Sequence, residues 1–377
     1  MNQMPNAELK NRNGEGVKRR IGVKGLSPVH RFPDSYLRQN RDRLGNPCSE
    51  FCILVLLLLT VLVFWSCSRD DYSGKVDSIT LGTQLLEPGV PVLIAEDRQY
   101  FGRNGLDVTL KNYDTGLRAV NAMLKGEIDI SSPVADYVLA GKALQHENIQ
   151  TIGCLDRVDW AFVVGRKDRG VKVVSDLKGK KIGVMRGTMT EFYLGRFLEL
   201  HGIKMENVTL VNITKNAQAF DEIIGGHVDA VISVQPVVNA AKNQLGSNAA
   251  VWPAQSSQPF YALLICKNDW VRQHPKLIER FLRAMNQAEE YIARHPDRAK
   301  AIVRKRLGFA DDEVDRVWSR NIFSLSLDQS LVAAMEDEAR WMIKNNLTKE
   351  KAVPDFTNYI YTDGLKAIKP EAVNIIR

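Results

Sequence analysis

Polar side chains that could hold a small solute recur just after segments typical of β-strands. One group follows Ser78–Thr83, a second follows Val108–Asn112, and others follow Ile128–Ser131 and Lys181–Met185. Hydroxyls, amides and a few charged groups dominate these positions, and such groups fix a small polar ligand by directed hydrogen bonds. The loop residues that we expect to contact a ligand are Thr83, Gln84, Glu87, Tyr113, Asp114, Thr115, Ser131, Ser132, Arg186, Thr188, Thr190 and Gln235.

Two of these loops predict the start of a helix. In Met185–Glu191 a strand ends and a helix begins, with Thr188 as N-cap and Glu191 completing a capping box. Free N–H groups there would attract a carboxylate, sulfonate or phosphate, but an ordinary structural cap is equally open, since Glu191 itself could occupy the position. After Ser132, Pro133 suits the first turn of the next helix.

Aromatic and acidic side chains could complete such a pocket. Tyr113, Trp160 and Tyr261 could form its walls, although each could equally be a core residue. Asp114 and Glu87 could hold an amine or a ring N–H, or be a solvated loop acid or a cap. These alternatives stay open on the sequence alone.

Signatures of catalysis are missing from residues 68–377. There is no nucleotide-binding glycine loop and no nucleophile or zinc-protease motif, and the six histidines lack metal-ligand spacing. We therefore expect a protein that binds its ligand unchanged, without a cofactor or metal. Cys154 and Cys266 could pair if the fold brings them together, or remain two separate buried thiols.

The net charge of +7 is concentrated near the N-terminus. Residues 1–66 hold ten Lys and Arg against five Asp and Glu, a net of +5, which leaves +2 for residues 67–377. A body evolved to bind nucleic acid is therefore poorly supported.

An apolar segment near the N-terminus predicts export. Phe51–Trp65 is fifteen uncharged residues long, about 22 Å as a helix, which is shorter than the roughly 30 Å core of a bilayer. It suits the apolar region of a signal peptide better than a membrane span. Ser66-Cys67 then resembles the processing site of bacterial lipoproteins, which implies cleavage before Cys67 and lipidation of its thiol. The alternative is an uncleaved anchor, and residues 67–75 are the expected tether.

The body alternates predicted strands and helices and repeats itself. Val108–Leu110 matches Val208–Leu210, and Gly126–Asp129 matches Gly226–Asp229, all at a shift of one hundred residues. Each copy reads strand, helix, strand, which is typical of parallel α/β units. Two similar α/β lobes with a cleft between them follow, and ligands of such sheets lie beyond the carboxyl ends of the strands.

Beyond residue 267 the sequence changes to long amphipathic helices. Asn268–Arg294, Ala299–Leu307 and Asp328–Asn345 carry apolar residues at helical spacing. We interpret these stripes as core.

Several of these segments resemble a known family. Gly82–Gln84, Gly126–Ile130, Asp176–Val184 and Val228–Ala230 are similar to segments of solute-binding proteins of the nitrate/sulfonate/taurine and thiamine-pyrimidine-precursor group, over about residues 76–365. The resemblance implies a type II periplasmic-binding fold: two α/β lobes with a central ligand cleft. Lobe one would comprise 76–157 plus 258–377, with the C-terminal helices packed on it, and lobe two would comprise 158–257.

The same resemblance implies a function. The chain would be an exported, monomeric solute-binding lipoprotein that delivers a sulfonate, a nitrate-like anion or a pyrimidine or aromatic compound to an ABC permease and its ATPase. The alternative is a solute sensor that docks on a signalling receptor. A third possibility is the related pyrimidine synthase, but its Cys-rich iron-binding motif has no counterpart here.

Overall fold

Eleven strands form two mixed sheets in residues 72–255 and 258–376, the part of the chain that this computed structural model describes. The first sheet has the order β11-β4-β10-β3-β1-β2, and the second has the order β7-β6-β8-β5-β9. The strands of the first sheet are β1 (Asp77–Thr83), β2 (Leu106–Asn112), β3 (Ile130–Ala135), β4 (Ile149–Val158), β10 (Phe260–Lys267) and β11 (Asn321–Ser326). Those of the second are β5 (Ala161–Arg166), β6 (Lys181–Val184), β7 (Thr209–Asn212), β8 (Ala230–Val234) and β9 (Ala249–Pro253).

The predicted leader and tether fall mostly outside this part of the chain. The apolar segment 51–65 and Cys67 lie beyond the described residues, so cleavage, lipidation and the anchor stay predictions. Within residues 72–255 and 258–376, helices with the length and hydropathy of a membrane span are absent.

Each sheet contains one copy of the sequence repeat. β1 runs parallel to β2 and β3, and β6 runs parallel to β7 and β8. The antiparallel strands β10 and β5 complete the sheets beside the points where the chain crosses over. The predicted α/β architecture with two lobes is therefore confirmed. We call each sheet with its packed helices the first and the second lobe; the boundaries at 157/158 and 257/258 stay a proposal.

The repeated Gly-x-x-Asp segment has a structural reason. Oδ2 of Asp129 accepts the backbone N–H of Thr80 at 2.7 Å, and Oδ2 of Asp229 accepts that of Lys181 at 3.0 Å. Each carboxylate thus clamps the central strand of its parallel unit. The glycines that precede them, Gly126 and Gly226, end helices at positive φ (80° and 73°), as their sequence position predicts.

Thirteen helices are present among the described residues. In the first half of the chain and the second lobe they are α1 (Val90–Asp97), α2 (Tyr100–Arg103), α3 (Gly116–Leu124), α4 (Asp136–Ala143), α5 (Met189–Leu200), α6 (Asn216–Gly225) and α7 (Gln235–Leu245). The C-terminal ones are α8 (Asn268–Gln273), α9 (Pro275–Arg294), α10 (Pro296–Leu307), α11 (Asp311–Arg320), α12 (Gln329–Lys344) and α13 (Asp363–Lys366).

The C-terminal helices pack on the first lobe, as expected. α9 lies against α1 and α2, and α12 lies against α4. Phe281 of α9 stacks on Phe101 of α2 with ring centroids 5.6 Å apart. The single helix predicted for Asn268–Arg294 is wrong: it breaks at His274, because Pro275 cannot continue the preceding helix and instead starts α9.

Cys154 and Cys266 are free and buried, so the interpretation as two separate thiols is confirmed. They lie on the paired strands β4 and β10, but out of register: Cys154 is opposite Leu263, whereas Cys266 is opposite Gln150. Burial raises the pKa of both thiols, which keeps them protonated and unreactive.

Candidate ligand-binding site

A small cavity lies where the carboxyl ends of the parallel strands in the two lobes face each other. Its volume is about 70 Å³, room for on the order of five water molecules. Both lobes supply its walls, as expected for a cleft at the strand ends. Six of the side chains predicted from the sequence line it: Gln84, Asp114, Thr115, Trp160, Thr188 and Thr190.

Helix N-termini from both lobes converge on this cavity. The first residues of α3, α5 and α6, which are Gly116, Met189 and Asn216, all line it. Ala135 and Val234, which precede α4 and α7, line it too. The leading N–H groups of a helix have no intrahelical acceptor and carry partial positive charge. The helix starts therefore bring partial positive charge to the cavity, beside the carboxylate of Asp114, although no Lys, Arg or His is among its described lining residues.

One wall of the cavity is aromatic. Trp160 and Phe260 meet edge to face, with ring centroids 5.6 Å apart and an interplanar angle of 62°. Both are at most 5% exposed. Nε1 of Trp160 has no hydrogen-bond partner in the described part of the chain. Such a wall can pack against a flat or aliphatic body and still offer it one N–H donor.

The two Thr residues that precede helices in this cavity behave differently. Oγ1 of Thr115 accepts the N–H of Arg118 at 3.2 Å and so caps α3. Thr188 is extended at the N-cap of α5, but its hydroxyl donates to the carbonyl of Met185 at 2.8 Å and lies 2.9 Å from that of Thr190. The predicted capping box is therefore wrong: the hydroxyl of Thr188 caps none of the N–H groups of α5, although the N–H of Glu191 donates to the carbonyl of Thr188 at 3.0 Å.

The side chain of Glu191, in the first turn of α5, bonds back to the residues that precede the helix. Its Oε2 accepts the N–H of Gly187 at 2.8 Å, and its Oε1 forms an ion pair with Nε of Arg186. The carboxylate is buried whereas Arg186 is half exposed. Arg186 does not line the small cavity; with Gly187 and Glu191 it lines a neighbouring cavity of about 640 Å³ at the seam between the lobes.

Glu87 also lies outside the small cavity. Its two carboxylate oxygens accept Nη2 of Arg320 at 2.8 and 3.0 Å, and Nδ2 of Asn321 donates to it at 3.3 Å. Burial raises the pKa of Glu87, and the adjacent Arg320 guanidinium offsets part of that rise. This arrangement is a buried ion pair between the turn that follows β1 and the end of α11 rather than a group presented to the cleft.

The other predicted residues surround the cavity without lining it. They are Thr83, Tyr113, Ser131, Ser132, Gln235 and Tyr261. Tyr113 is half buried, and the other five are buried. The helix start predicted at Pro133 is wrong: Pro133 belongs to β3 and lines the cavity, and α4 begins at Asp136.

Sequence reasoning missed several residues of the cavity. Most are apolar, and their positions differ little in pattern from those of core residues. They are Leu86, Leu117, Val138, Met185, Met189, Asn216 and Phe260. Asn216 had a usable signal, because it follows β7 as Gly116 follows β2.

Two chain crossovers join the lobes, and Gln255 ties them together. Its Oε1 accepts the N–H groups of Trp160 and Ala161, the latter at 2.6 Å, and its Nε2 donates to the carbonyl of Val158 at 2.9 Å. Gln255 belongs to the return crossover, whereas the other three residues belong to the outgoing one. A single buried amide thus fixes the base of the cleft next to Trp160.

Metal ligands are not gathered in the described residues. No group of three or more His, Cys, Asp or Glu there could hold a metal ion.

Comparison with known proteins finds two kinds of relative. A binding protein of Brucella abortus is 25% identical over 222 residues, which are 57% of this chain and 66% of that protein, so the chain spans just under two thirds of its relative. A 4-amino-5-hydroxymethyl-2-methylpyrimidine phosphate synthase of Saccharomyces cerevisiae is 23% identical over 242 residues, 60% of this chain and 70% of the synthase.

Solved structures confirm the fold. The alkanesulfonate-binding protein SsuA of Xanthomonas axonopodis pv. citri bound to MOPS superposes with a TM-score of 0.66 at 16% identity, covering 77% of this chain and 100% of that one. The periplasmic nitrate-binding protein NrtA of Synechocystis PCC 6803 gives 0.62 at 14% identity, covering 79% and 90%. This chain therefore has the periplasmic-binding-protein fold.

The sequence profile described as NMT1/THI5 like matches residues 89–299, more than half of the chain. This match spans the first copy of the repeat from α1 onward, the whole second copy, both crossovers and the first of the long C-terminal helices. The chain belongs to the NMT1/THI5-like family.

Proposed function

We propose that this protein is the extracytoplasmic solute-binding component of an ABC importer, and that it captures a small organic anion by closing two lobes over it. The observation that carries the proposal is the convergence of three helix starts, at Gly116, Met189 and Asn216, on a cavity walled by Trp160 and Phe260. Helix N-termini bind an oxyanion without a basic side chain, and the aromatic wall packs against an apolar body. An aromatic or aliphatic sulfonate or carboxylate combines these two features.

A neutral pyrimidine is the second candidate solute. Asp114 is the acid among the described lining residues, and it could accept an exocyclic amine or ring N–H while Trp160 stacks on the ring. The ion pair between Asp114 and Arg118, at 3.4 Å and largely exposed, weakens this arrangement but leaves the carboxylate available.

A ligand panel separates these candidates. We expect benzenesulfonate to raise the thermal unfolding midpoint more than nitrate, taurine or 4-amino-2-methylpyrimidine does. A ligand that binds only the folded state stabilises it by about 2.7 kcal/mol at a hundredfold excess over Kd. A response to the pyrimidine alone would replace the anion with the second candidate, and no response to any member would contradict both.

Two substitutions then locate the site. Trp160→Leu and Thr188→Val should each weaken binding of the best probe by tenfold or more in calorimetry, because each removes a group from the cavity wall. Trp270→Leu and Thr209→Val are the matched controls, since neither residue lines the cavity and Thr209 is exposed on β7. Equal losses in the controls would show that the effect is not local.

Attachment to the membrane is tested on the full chain. When it is expressed in a bacterial host, Cys67→Ser should abolish incorporation of labelled palmitate and release the protein from the membrane fraction, because lipidation needs the thiol. Cys52→Ser is the control, since it leaves Cys67 intact. Membrane association of the Cys67→Ser protein would instead indicate an uncleaved N-terminal anchor.

A further inference from the structure

The lobes touch through an aromatic contact beside the cleft. Phe192 of α5, in the second lobe, meets Trp341 of α12 edge to face, with ring centroids 5.5 Å apart, and Tyr137 of α4 at 5.9 Å. The contact is tight because Gly195 faces Trp341: a Cβ at Gly195 would lie 2.1 Å from Cζ2 of the indole. All three rings are buried, so water is excluded from this junction.

Two carboxyl groups are buried in the same junction without a cation. Asp136 at the start of α4 and Glu338 of α12 are both 0% exposed. None of their four oxygens makes a hydrogen bond of normal geometry within the described residues, although the backbone N–H groups of Tyr261 and Tyr137 lie near Asp136. Two ionised carboxylates in such a place would cost several kcal/mol each.

A side chain of the second lobe is aimed at the same place. The Tyr193 hydroxyl of α5 is fully buried and makes no hydrogen bond of normal geometry in the described chain, although the Gln255 amide of the return crossover lies near it, and it is close enough to Asp136 and Glu338 for their charges to act on it. Burial first, and then these carboxylates, raise the pKa of Tyr193, so it stays a neutral donor. Its approach completes the enclosure of both acids from the second lobe.

No neighbouring element of the described chain supplies a free cation to this pair. The titratable and charged groups that act on Asp136 and Glu338, or on the side chains beside them, are Tyr137 of α4, Asp337 of α12, Glu191 and Tyr193 of α5, Tyr261 of β10, Cys154, Asp156 and Arg157 of β4, Asp159 of the crossover and Arg186 of the second lobe. Arg186 is paired with Glu191, and Arg157 lies 3.9 Å from Asp328.

We propose that Asp136 and Glu338 form a proton-binding site at the junction between the lobes, and that lobe closure over solute takes up protons there. This inference rests on the proposed function, because it concerns the closure of that same cleft. When the lobes separate, α5 no longer covers the carboxyls and water reaches them. When the lobes close, the carboxyls must be neutral, so low pH favours the closed form.

The raised pKa values of the two carboxyls determine how lobe closure depends on pH and over which pH range. Burial raises the pKa of Asp136 to about 7 and raises that of Glu338 well above its ordinary range, where the charge of Asp136 adds to the rise. Below the ordinary carboxyl pKa near 4 the carboxyls are protonated in both the open and the closed form, so closure is insensitive to pH. Between about pH 4 and 7 closure consumes protons, so solute affinity falls as the pH rises. Above about pH 7 Asp136 no longer contributes, and any further slope belongs to Glu338.

A first experiment needs no solute. Thermal unfolding of the full chain is followed from pH 5 to pH 8 for the natural protein, for Asp136→Asn and for Glu338→Gln. Each variant replaces a carboxyl with a neutral group of the same shape, so its midpoint relative to the natural protein should rise with pH by several degrees. Asp107→Asn, on an exposed strand position, should show no such trend. Parallel curves for all four proteins would overturn the proton-binding site itself.

A second experiment tests the link to closure. Benzenesulfonate, or the best binder of the panel, is titrated at pH 5.5, 6.5 and 7.5 in two buffers that differ in ionisation enthalpy. The Kd of the natural protein should rise at least tenfold over this range with net proton uptake, and the rise and the uptake should shrink in Asp136→Asn and persist in Asp107→Asn. A Kd that is independent of pH would overturn the link, as would dependence of binding on added Na⁺ or Ca²⁺ in place of protons. If no ligand of the panel bound, the proposed function would be contradicted, and the first experiment alone would decide whether Asp136 and Glu338 form a proton-binding site.

Discussion

The two copies of the repeat share their scaffold and differ where they meet the cleft. In both, an Asp after the helix-ending Gly clamps the central strand: Asp129 holds Thr80, and Asp229 holds Lys181. The loops that start the next helix have diverged, because Thr115 caps α3 whereas Thr188 turns its hydroxyl away from the start of α5. Similar sequence therefore marks what the fold requires, and the sequences differ at the helix starts that line the cavity between the lobes.

The largest expected effect concerns the helix start that belongs only to the second lobe. Arg186→Ala should lower the free energy of unfolding by about 2–3 kcal/mol, because it leaves the buried carboxylate of Glu191 without its cation. Urea denaturation at pH 7 measures this loss. The half-exposed position of Arg186 keeps the effect below that of a fully buried pair.

The double variant sharpens this prediction. Adding Glu191→Gln to Arg186→Ala should restore most of the stability, because the neutral amide can still accept the N–H of Gly187. If the double variant is no more stable than Arg186→Ala, the loss comes from packing of the arginine stem and not from a stranded charge.

The contrast between scaffold and loop also describes what could be predicted from sequence. Strands β1, β2, β3 and β6 of the repeat copies were predicted within a few residues, because the alternation of apolar and polar residues is a local property. β4, β9, β11, α11 and α13 were not predicted. β4 contains polar residues such as Asp156 and Arg157, which obscure the pattern of a strand inside a sheet; it becomes recognisable only when β10 and β11 flank it.

The lining of the cavity between the lobes was predicted in part for the same reason. Topology places the ends of parallel strands at one edge, so Gln84, Thr115 and Thr188 could be found from the sequence. The direction of a side chain depends on partners distant in sequence. Glu87 is held by Arg320, more than two hundred residues away, and no local pattern reports such a contact.

A smaller effect tests the shared clamp. Asp129→Ala and Asp229→Ala should each lower the free energy of unfolding by about 2 kcal/mol at pH 7, since each removes a charged acceptor from a backbone N–H of the central strand. Exposed Asp107→Ala is the control. If only one of the two losses appeared, the clamp would not be an equal requirement of both lobes.

The clamp in the second lobe should also depend on pH. Partial burial would by itself raise the pKa of Asp229, but the N–H of Lys181 and the guanidinium of Arg169 outweigh it, and the pKa lies below its ordinary value. A lowered pKa contributes stability above the ordinary value near 4 and loses it as the pH falls through the value in the folded protein. The difference between the natural protein and Asp229→Ala should therefore shrink below about pH 4 in urea denaturation, and a constant difference down to pH 2.5 would contradict this.

The smallest effect separates the two Thr residues that precede helices in the cleft. Thr115→Ala should cost about 1 kcal/mol of stability, and Thr115→Asp should restore it, because an aspartate can also cap α3.

At Thr188 an aspartate should not act in this way, since the natural hydroxyl donates to the carbonyl of Met185. Thr188→Asp should instead place a negative charge at the open end of α5 and weaken benzenesulfonate binding by more than tenfold, as measured by calorimetry. If the aspartate at position 188 stabilises the protein and leaves affinity unchanged, the start of α5 is an ordinary cap, and anion binding would have to rest on α3 and α6.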